Sequence, residues 1–179
     1  MVEFPDPDSR DVLEPDCSRC PELVECRERI AWGNGSLDAD VLVVGEAPAF
    51  GDPDADRWRG GNWTGMAYTS RHSGRRVREL FAAAGCGPDD CYFTNAVKCF
   101  PEGDEESNRE PRPAERANCF EHLRTEIARV EPSVVATTGK HATTALFEFE
   151  SIPTDGFLDR VLEPVDCERL GVTALPLLH

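Results

Sequence analysis

Val41-Leu42-Val43-Val44-Gly45-Glu46-Ala47-Pro48-Ala49 decides how this chain is read. Four aliphatic residues in a row fit a strand covered on both faces, as in a parallel sheet with helices above and below it. The strand is expected over 40–47. The small-residue segment from Gly45 to Ala49 follows the apolar run directly, and in open α/β sheets ligands bind beyond the carboxyl ends of the strands. A buried strand that runs into such a segment predicts an α/β fold with a pocket at its strand ends.

The flanking sequence repeats the pattern. A short helix is expected over 21–29, and a loop rich in Gly, Asp and Trp over 50–70. Val77, Leu80 and Phe81 stand at helical spacing within 74–84, with Gly85 as a stop signal. A second strand is predicted over 92–99 and an acidic loop over 101–112. A helix over 114–130 carries Phe120, Leu123 and Ile127 on one face and is ended by Pro132. A third strand at 134–138, a helix at 140–149 and a fourth strand at 173–178 complete the chain. This alternation predicts a three-layer α/β/α domain around a four-stranded, mostly parallel sheet. Residues 1–16 read as a loosely held acidic arm and residues 17–179 as one domain.

The chain has 179 residues, enough to bury a core. No apolar run approaches the roughly 20 residues of a membrane span, and no signal peptide is evident, so a cytoplasmic monomer is expected. The formal net charge is −15, and Lys98 and Lys140 are the only lysines among 19 basic residues. An acidic, lysine-poor surface of this kind looks like that of proteins from salt-in halophiles. Acidity ordinarily argues against nucleic-acid binding. At about 1 M salt, however, long-range attraction is screened within about 3 Å, and local contacts decide.

Of the eight cysteines, four stand out. Cys17 and Cys20 form a CxxC, Cys99 closes the second predicted strand, and Cys119 lies on the long helix. Two close and two distant thiolates suit one soft metal centre that fastens the N-terminal segment to the domain. A disulfide scaffold is the alternative, but secreted scaffolds are smaller and denser in cysteine. Cys26, Cys86, Cys91 and Cys167 read as packed or free thiols.

Five motifs occur in order: Cys17-Ser-Arg-Cys20, Gly45-Glu-Ala-Pro-Ala49, Gly61-Asn-Trp-Thr-Gly-Met-Ala-Tyr68-Thr, Thr94-Asn95-Ala-Val-Lys-Cys99 and Pro113-Ala-Glu-Arg-Ala-Asn-Cys119. Together with the final apolar strand and His179, they resemble the iron–sulfur uracil-DNA glycosylases, families four and five of that superfamily. Gly45-Glu46-Ala-Pro reads like family four, whereas Ala49, the stretch around Tyr68 and Ser73-Gly74 read more like family five.

The resemblance implies hydrolysis of the bond between uracil and deoxyribose in DNA. Cys17, Cys20, Cys99 and Cys119 match the ligands of a [4Fe–4S] cluster, and zinc is the alternative for four thiolates. A base taken out of the DNA stack needs a snug pocket. Gly45 and Ala47 belong to the implied substrate loop, Tyr68 stands where the family carries a stacking Phe, and Asn95 matches the amide that reads the uracil edge. His179 matches the His that opens the family's His-Pro-Ser motif, and the chain stops there. A donor at that place stabilises the anionic leaving base. Asp52, or alternatively Glu46, is the implied carboxylate for the attacking water or the cationic sugar. Arg71, Arg75 and Arg76, with Arg78 and His72 beside them and Ser73 as helix cap, form a basic cluster suited to DNA phosphates. A non-enzymatic iron–sulfur DNA-binding protein of the same superfamily, or a zinc-stapled domain with a nucleotide ligand, are the alternative functions.

Overall fold

The computed structural model describes residues 1–105 and 107–179. In chain order the elements are β1 (Arg10–Asp11), α1 (Pro21–Cys26), β2 (Gly33–Gly35), β3 (Val41–Gly45), α2 (Gly61–Thr64), α3 (Gly74–Ala83), β4 (Cys91–Asn95), α4 (Pro113–Val130), β5 (Val134–Thr138), α5 (Lys140–Glu150), α6 (Phe157–Arg160), β6 (Val165–Cys167) and β7 (Val172–Leu177). They build one seven-stranded sheet in the order β1-β2-β4-β3-β5-β7-β6.

The four strands predicted from sequence are the centre of that sheet, β4-β3-β5-β7, and every pairing among them is parallel. The expected count of four is corrected to seven by β1 and β2 at one edge and β6 at the other, all antiparallel to their neighbours. These edge strands are two or three residues long and carry no apolar periodicity. Arg10–Asp11, within the N-terminal arm, pairs with Gly33 and Asn34. Gly33 passes so close to Tyr92 that an added Cβ would lie 2.2 Å from its hydroxyl oxygen.

Alternation along the central strands divides the core between two faces. Leu42, Val44 and Tyr92 pack with Phe120, Leu123 and Ile127 of α4 and with Ala142 and Leu146 of α5. Val43, Cys91 and Phe93 point the other way, onto Val77 and Phe81 of α3. Leu42, Val43, Val44, Leu123 and Leu146 are wholly buried, each contributing about 1.5–3 kcal/mol relative to exposure. Pro113 opens α4, and the Glu115 carboxylate accepts the Arg112 N–H at 2.8 Å. The helix ends where Glu131 adopts a left-handed conformation before Pro132.

The register positions the site. Gly45 pairs with Asn95, so β3 and β4 finish level with each other. Thr138 pairs with Leu177, bringing the end of β5 beside the segment that leads to His179. No helix among the described residues is long and apolar enough to cross a membrane.

Candidate functional site

Beyond these strand ends lies a cavity of about 260 Å³ lined by Glu46, Ala47, Tyr68, Asn95, Thr138 and His179, among others. Five residues expected from sequence at the substrate or catalytic centre therefore meet in one place. Gly45 lies behind them. A Cβ built on it would stand 2.6 Å from Asn95 Oδ1 and 2.7 Å from the Tyr68 hydroxyl. Only a residue without a side chain leaves both groups room.

Asn95 is 5% exposed. Its carboxamide has no hydrogen-bond partner among the described residues, while its backbone is tightly held. Lys98 Nζ donates to the Asn95 carbonyl at 2.5 Å. Just past it, the Ala96 and Val97 N–H groups donate to the carbonyls of Gly45 and Glu46. A fixed backbone with an unpartnered amide at a cavity wall is a site prepared to donate and accept on one ligand edge.

Tyr68 has a left-handed backbone, φ 55°, which is uncommon for a non-glycine residue. The buried guanidinium of Arg78 holds that conformation. Its Nε donates to the Tyr68 carbonyl at 2.9 Å and its Nη2 to the Ala67 carbonyl at 3.2 Å. Its other partner is Asn34 Oδ1, and it lies 4.0 Å from the centre of the Phe93 ring. Burial draws this guanidinium down to about 10. Arg78 thus faces the interior, correcting its assignment to the phosphate-binding cluster. The phenol of Tyr68 shares a 2.7 Å hydrogen bond with Thr138 Oγ1, and burial pushes its pKa up. The ring is consequently a neutral, anchored wall of the cavity.

Glu46 is the half-buried carboxylate on the lining. Desolvation holds its pKa above the usual carboxylate range, against the opposing pull of His141 and His179. Asp52 lies outside the lining and is exposed, and its Oδ1 accepts the Asp54 N–H at 3.0 Å. Proximity in sequence to Ala49 does not bring it to the cavity, because the segment 52–59 folds on itself through Asp52 N–H to the Arg59 carbonyl.

Ser73 and Gly74, where α3 begins, also line the cavity. Arg71 and Arg76 are exposed beside this opening, and Arg75 bonds Glu79 at 3.1 Å. The first-turn N–H of Gly74 is accepted by Ser70 Oγ at 2.9 Å rather than by the expected Ser73. Sequence reading missed Thr138, which resembles any strand threonine. It also missed Asn108, whose amide bonds Pro48 O and Phe50 N to fix the segment that follows β3. Nothing in the acidic loop marked that residue.

A second cluster forms where α1, the segment after β4 and α4 meet. Cys99 and Cys119 are buried with Leu23, Ile30, Trp32 and Val97, and Cys17 and Cys20 pack against the same group. All four thiols are free. Burial raises the pKa of Cys20 and Cys99 and pushes Cys119 up to about 12, with the neighbouring thiols adding to each shift. Two buried and two half-buried sulfurs gathered at one place, three of them with thiol pKa values raised by burial, are a poor arrangement for bare thiolates and a good one for a cationic centre. Tetrahedral zinc, with bonds of about 2.3 Å, holds thiolates about 3.8 Å apart. Among the described residues, the one trio of potential ligand atoms within 4.8 Å of one another is Glu14, Cys17 and His122. The four sulfurs are therefore spread more widely than a preformed zinc site.

The sequence profile of the Uracil DNA glycosylase superfamily matches residues 32–179, beginning after Cys17 and Cys20. The type-4 uracil-DNA glycosylase of Thermotoga maritima is 32% identical over 126 residues, covering 70% of this chain and 58% of that protein. That of Archaeoglobus fulgidus is 30% identical over 131 residues, covering 73% and 58%. That of Saccharolobus solfataricus is 29% identical over 132 residues, covering 74% and 55%. The chain thus matches somewhat more than half the length of these relatives.

Proposed function

The chain belongs to the uracil-DNA glycosylase superfamily, and on that footing we propose that it is a monofunctional DNA-repair glycosylase that removes uracil by hydrolysis. The observation that carries this reading is the unpartnered Asn95 carboxamide in a cavity walled by the anchored Tyr68 ring. Uracil offers adjacent acceptor and donor groups on one edge, which a single carboxamide satisfies in pairs. Its flat face suits stacking on Tyr68.

Once the nucleotide is flipped, the bond between the sugar C1′ and the base N1 breaks, with its electron pair leaving on uracil. The sugar develops oxocarbenium character. His179 donates a hydrogen bond to the leaving base, lowering the cost of its negative charge. Ionised Glu46 faces the cationic sugar and holds the water that adds to C1′. That water gives up a proton as it adds and the uracil anion takes one up on N1, leaving an abasic site and free uracil. No lysine lines the cavity among the described residues, in keeping with a water nucleophile rather than a Schiff base. Arg71, Arg75 and Arg76 contact phosphates flanking the flipped nucleotide, aided by the N-terminus of α3.

Cys17, Cys20, Cys99 and Cys119 would hold a [4Fe–4S] cluster, whose larger span suits their spread better than zinc does. When bound, this group supplies a covalent tie between the N-terminal segment and α4. The protein is read as a cytoplasmic monomer. The test is release of uracil from a uracil-containing oligonucleotide, assayed from low to molar salt. An abasic product supports the reading, and DNA bound but left intact overturns it.

A further inference from the structure

Every sulfur of the four-cysteine cluster has a nitrogen of its own in reach, an N–H donor for Cys99, Cys119 and Cys20 and an imidazole nitrogen for Cys17. Arg27 Nη1 donates to Cys99 Sγ at 3.2 Å. The Lys98 backbone N–H donates to Cys119 Sγ at 3.3 Å. Asn118 Nδ2 lies 3.5 Å from Cys20 Sγ, and His122 Nε2 lies 3.5 Å from Cys17 Sγ.

These groups are themselves fixed. Arg27 Nη2 donates to the Cys17 carbonyl at 2.8 Å, so one guanidinium spans the CxxC segment and the cysteine after β4. Asn118 Nδ2 also reaches the Arg19 carbonyl at 3.2 Å. The His122 ring stands edge-on to Trp32, 5.1 Å between centres, with Glu14 Oε2 3.4 Å from its Nε2.

A neutral thiol is a weak acceptor, so donors to three of the thiols and an imidazole nitrogen beside the fourth are more than packing alone requires. Metal-bound thiolates keep substantial negative charge, and N–H donors to that charge are strong. From this one-to-one arrangement we infer that Arg27, Asn118 and His122, with the Lys98 backbone, form a donor shell that retains the metal centre. Arg27 is its principal member because it alone brings a charged side chain to a sulfur and bridges two of the segments that supply ligands. The inference rests on the metal-centre reading of the cysteines and needs no glycosylase activity. Outer-shell partners hold ligands in their bound form and reduce electron density on sulfur, which slows metal loss and raises reduction potential.

The experiment uses the full chain purified with its metal. Release to an excess of chelator is followed by metal analysis and visible absorbance for wild type, Arg27→Met, Arg27→Lys and Asn118→Leu. Outer-shell losses of 10–100-fold are typical, so Arg27→Met is expected to release metal about ten-fold faster. Asn118→Leu is expected to release it several-fold faster, and Arg27→Lys to fall between wild type and Arg27→Met. Circular dichroism confirms that each variant is folded, and Asn118→Leu decides the matter if Arg27→Met is not. In iron-loaded protein, Arg27→Met is also expected to lower the reduction potential. Wild-type release rates in both Arg27→Met and Asn118→Leu would overturn the inference. Zinc in the wild-type protein would sink the iron–sulfur assignment while the release rates still judged the shell. Wild-type protein that binds no metal would sink both.

Discussion

The ammonium of Lys98 donates to the backbone carbonyl of Asn95 at 2.5 Å, tying a wholly buried charge to the residue whose amide faces the cavity. The same Nζ donates to Thr94 Oγ1 at 2.8 Å and Glu126 Oε2 at 2.7 Å. All three ammonium hydrogens are used. Breaking a buried pair from one side typically costs about 3–5 kcal/mol. Lys98→Met is therefore expected to lower unfolding free energy by about that amount in denaturant titrations. The double variant Lys98→Met/Glu126→Leu should recover most of it, whereas a single variant as stable as wild type contradicts the role.

Gly45→Ala tests the packing behind the pocket. The new methyl would sit 2.6 Å from Asn95 Oδ1 and 2.7 Å from the Tyr68 hydroxyl, and overpacking of this kind costs about 1–3 kcal/mol. The protein should remain folded but lose at least about 100-fold in kcat/KM for uracil release, since the two groups proposed to bind the base are pushed apart. Unchanged kinetics would place the reacting base elsewhere.

Glu46 gives a pH signature. Burial raises its folded pKa above the usual carboxylate range, so the folded protein keeps a proton there that the unfolded chain has released. Stability from this group is undiminished below the unfolded pKa and falls as pH rises towards the folded value. Glu46→Gln should remove that slope and leave the protein relatively more stable above the window. Activity should have an acid limb lying above the ordinary carboxylate range, because the ionised form is required. Glu46→Gln should lose both most of its activity and that limb. A wild-type-like pH profile in the variant rules out the role.

Cys119→Ser should abolish stoichiometric metal binding and free the segment before α1. Limited proteolysis would then cut within residues 1–26 much faster than in wild type. Equal protection with and without metal would show that the β1–β2 pairing and Leu23 packing hold the arm unaided.

What the residues alone revealed, and what they hid, follows physical lines. Val41–Gly45 and Val134–Thr138 were legible because strands covered on both faces must be apolar throughout. β2, Gly33–Gly35, was not, since its place depends on close approach to Tyr92 and on a positive φ at Gly35. Tyr68 and Asn95 were found through their motifs. Arg78 looked like the surface arginines around it, and its satisfaction by two carbonyls and Asn34 is a property of the folded chain. Asp52 looked near to the Gly45–Ala49 segment, but local turn hydrogen bonds take it away.

The most direct measurement of the central claim is single-turnover uracil release by wild type and Asn95→Ala on the same oligonucleotide. Loss of paired polar contacts to a base is worth a factor of up to about 10⁴–10⁵ in such sites. The account predicts rapid formation of abasic DNA by wild type and a fall of at least about 100-fold in the variant, with unfolding unchanged or slightly stabilised. Equal rates for the two proteins, or no release by wild type, would contradict it.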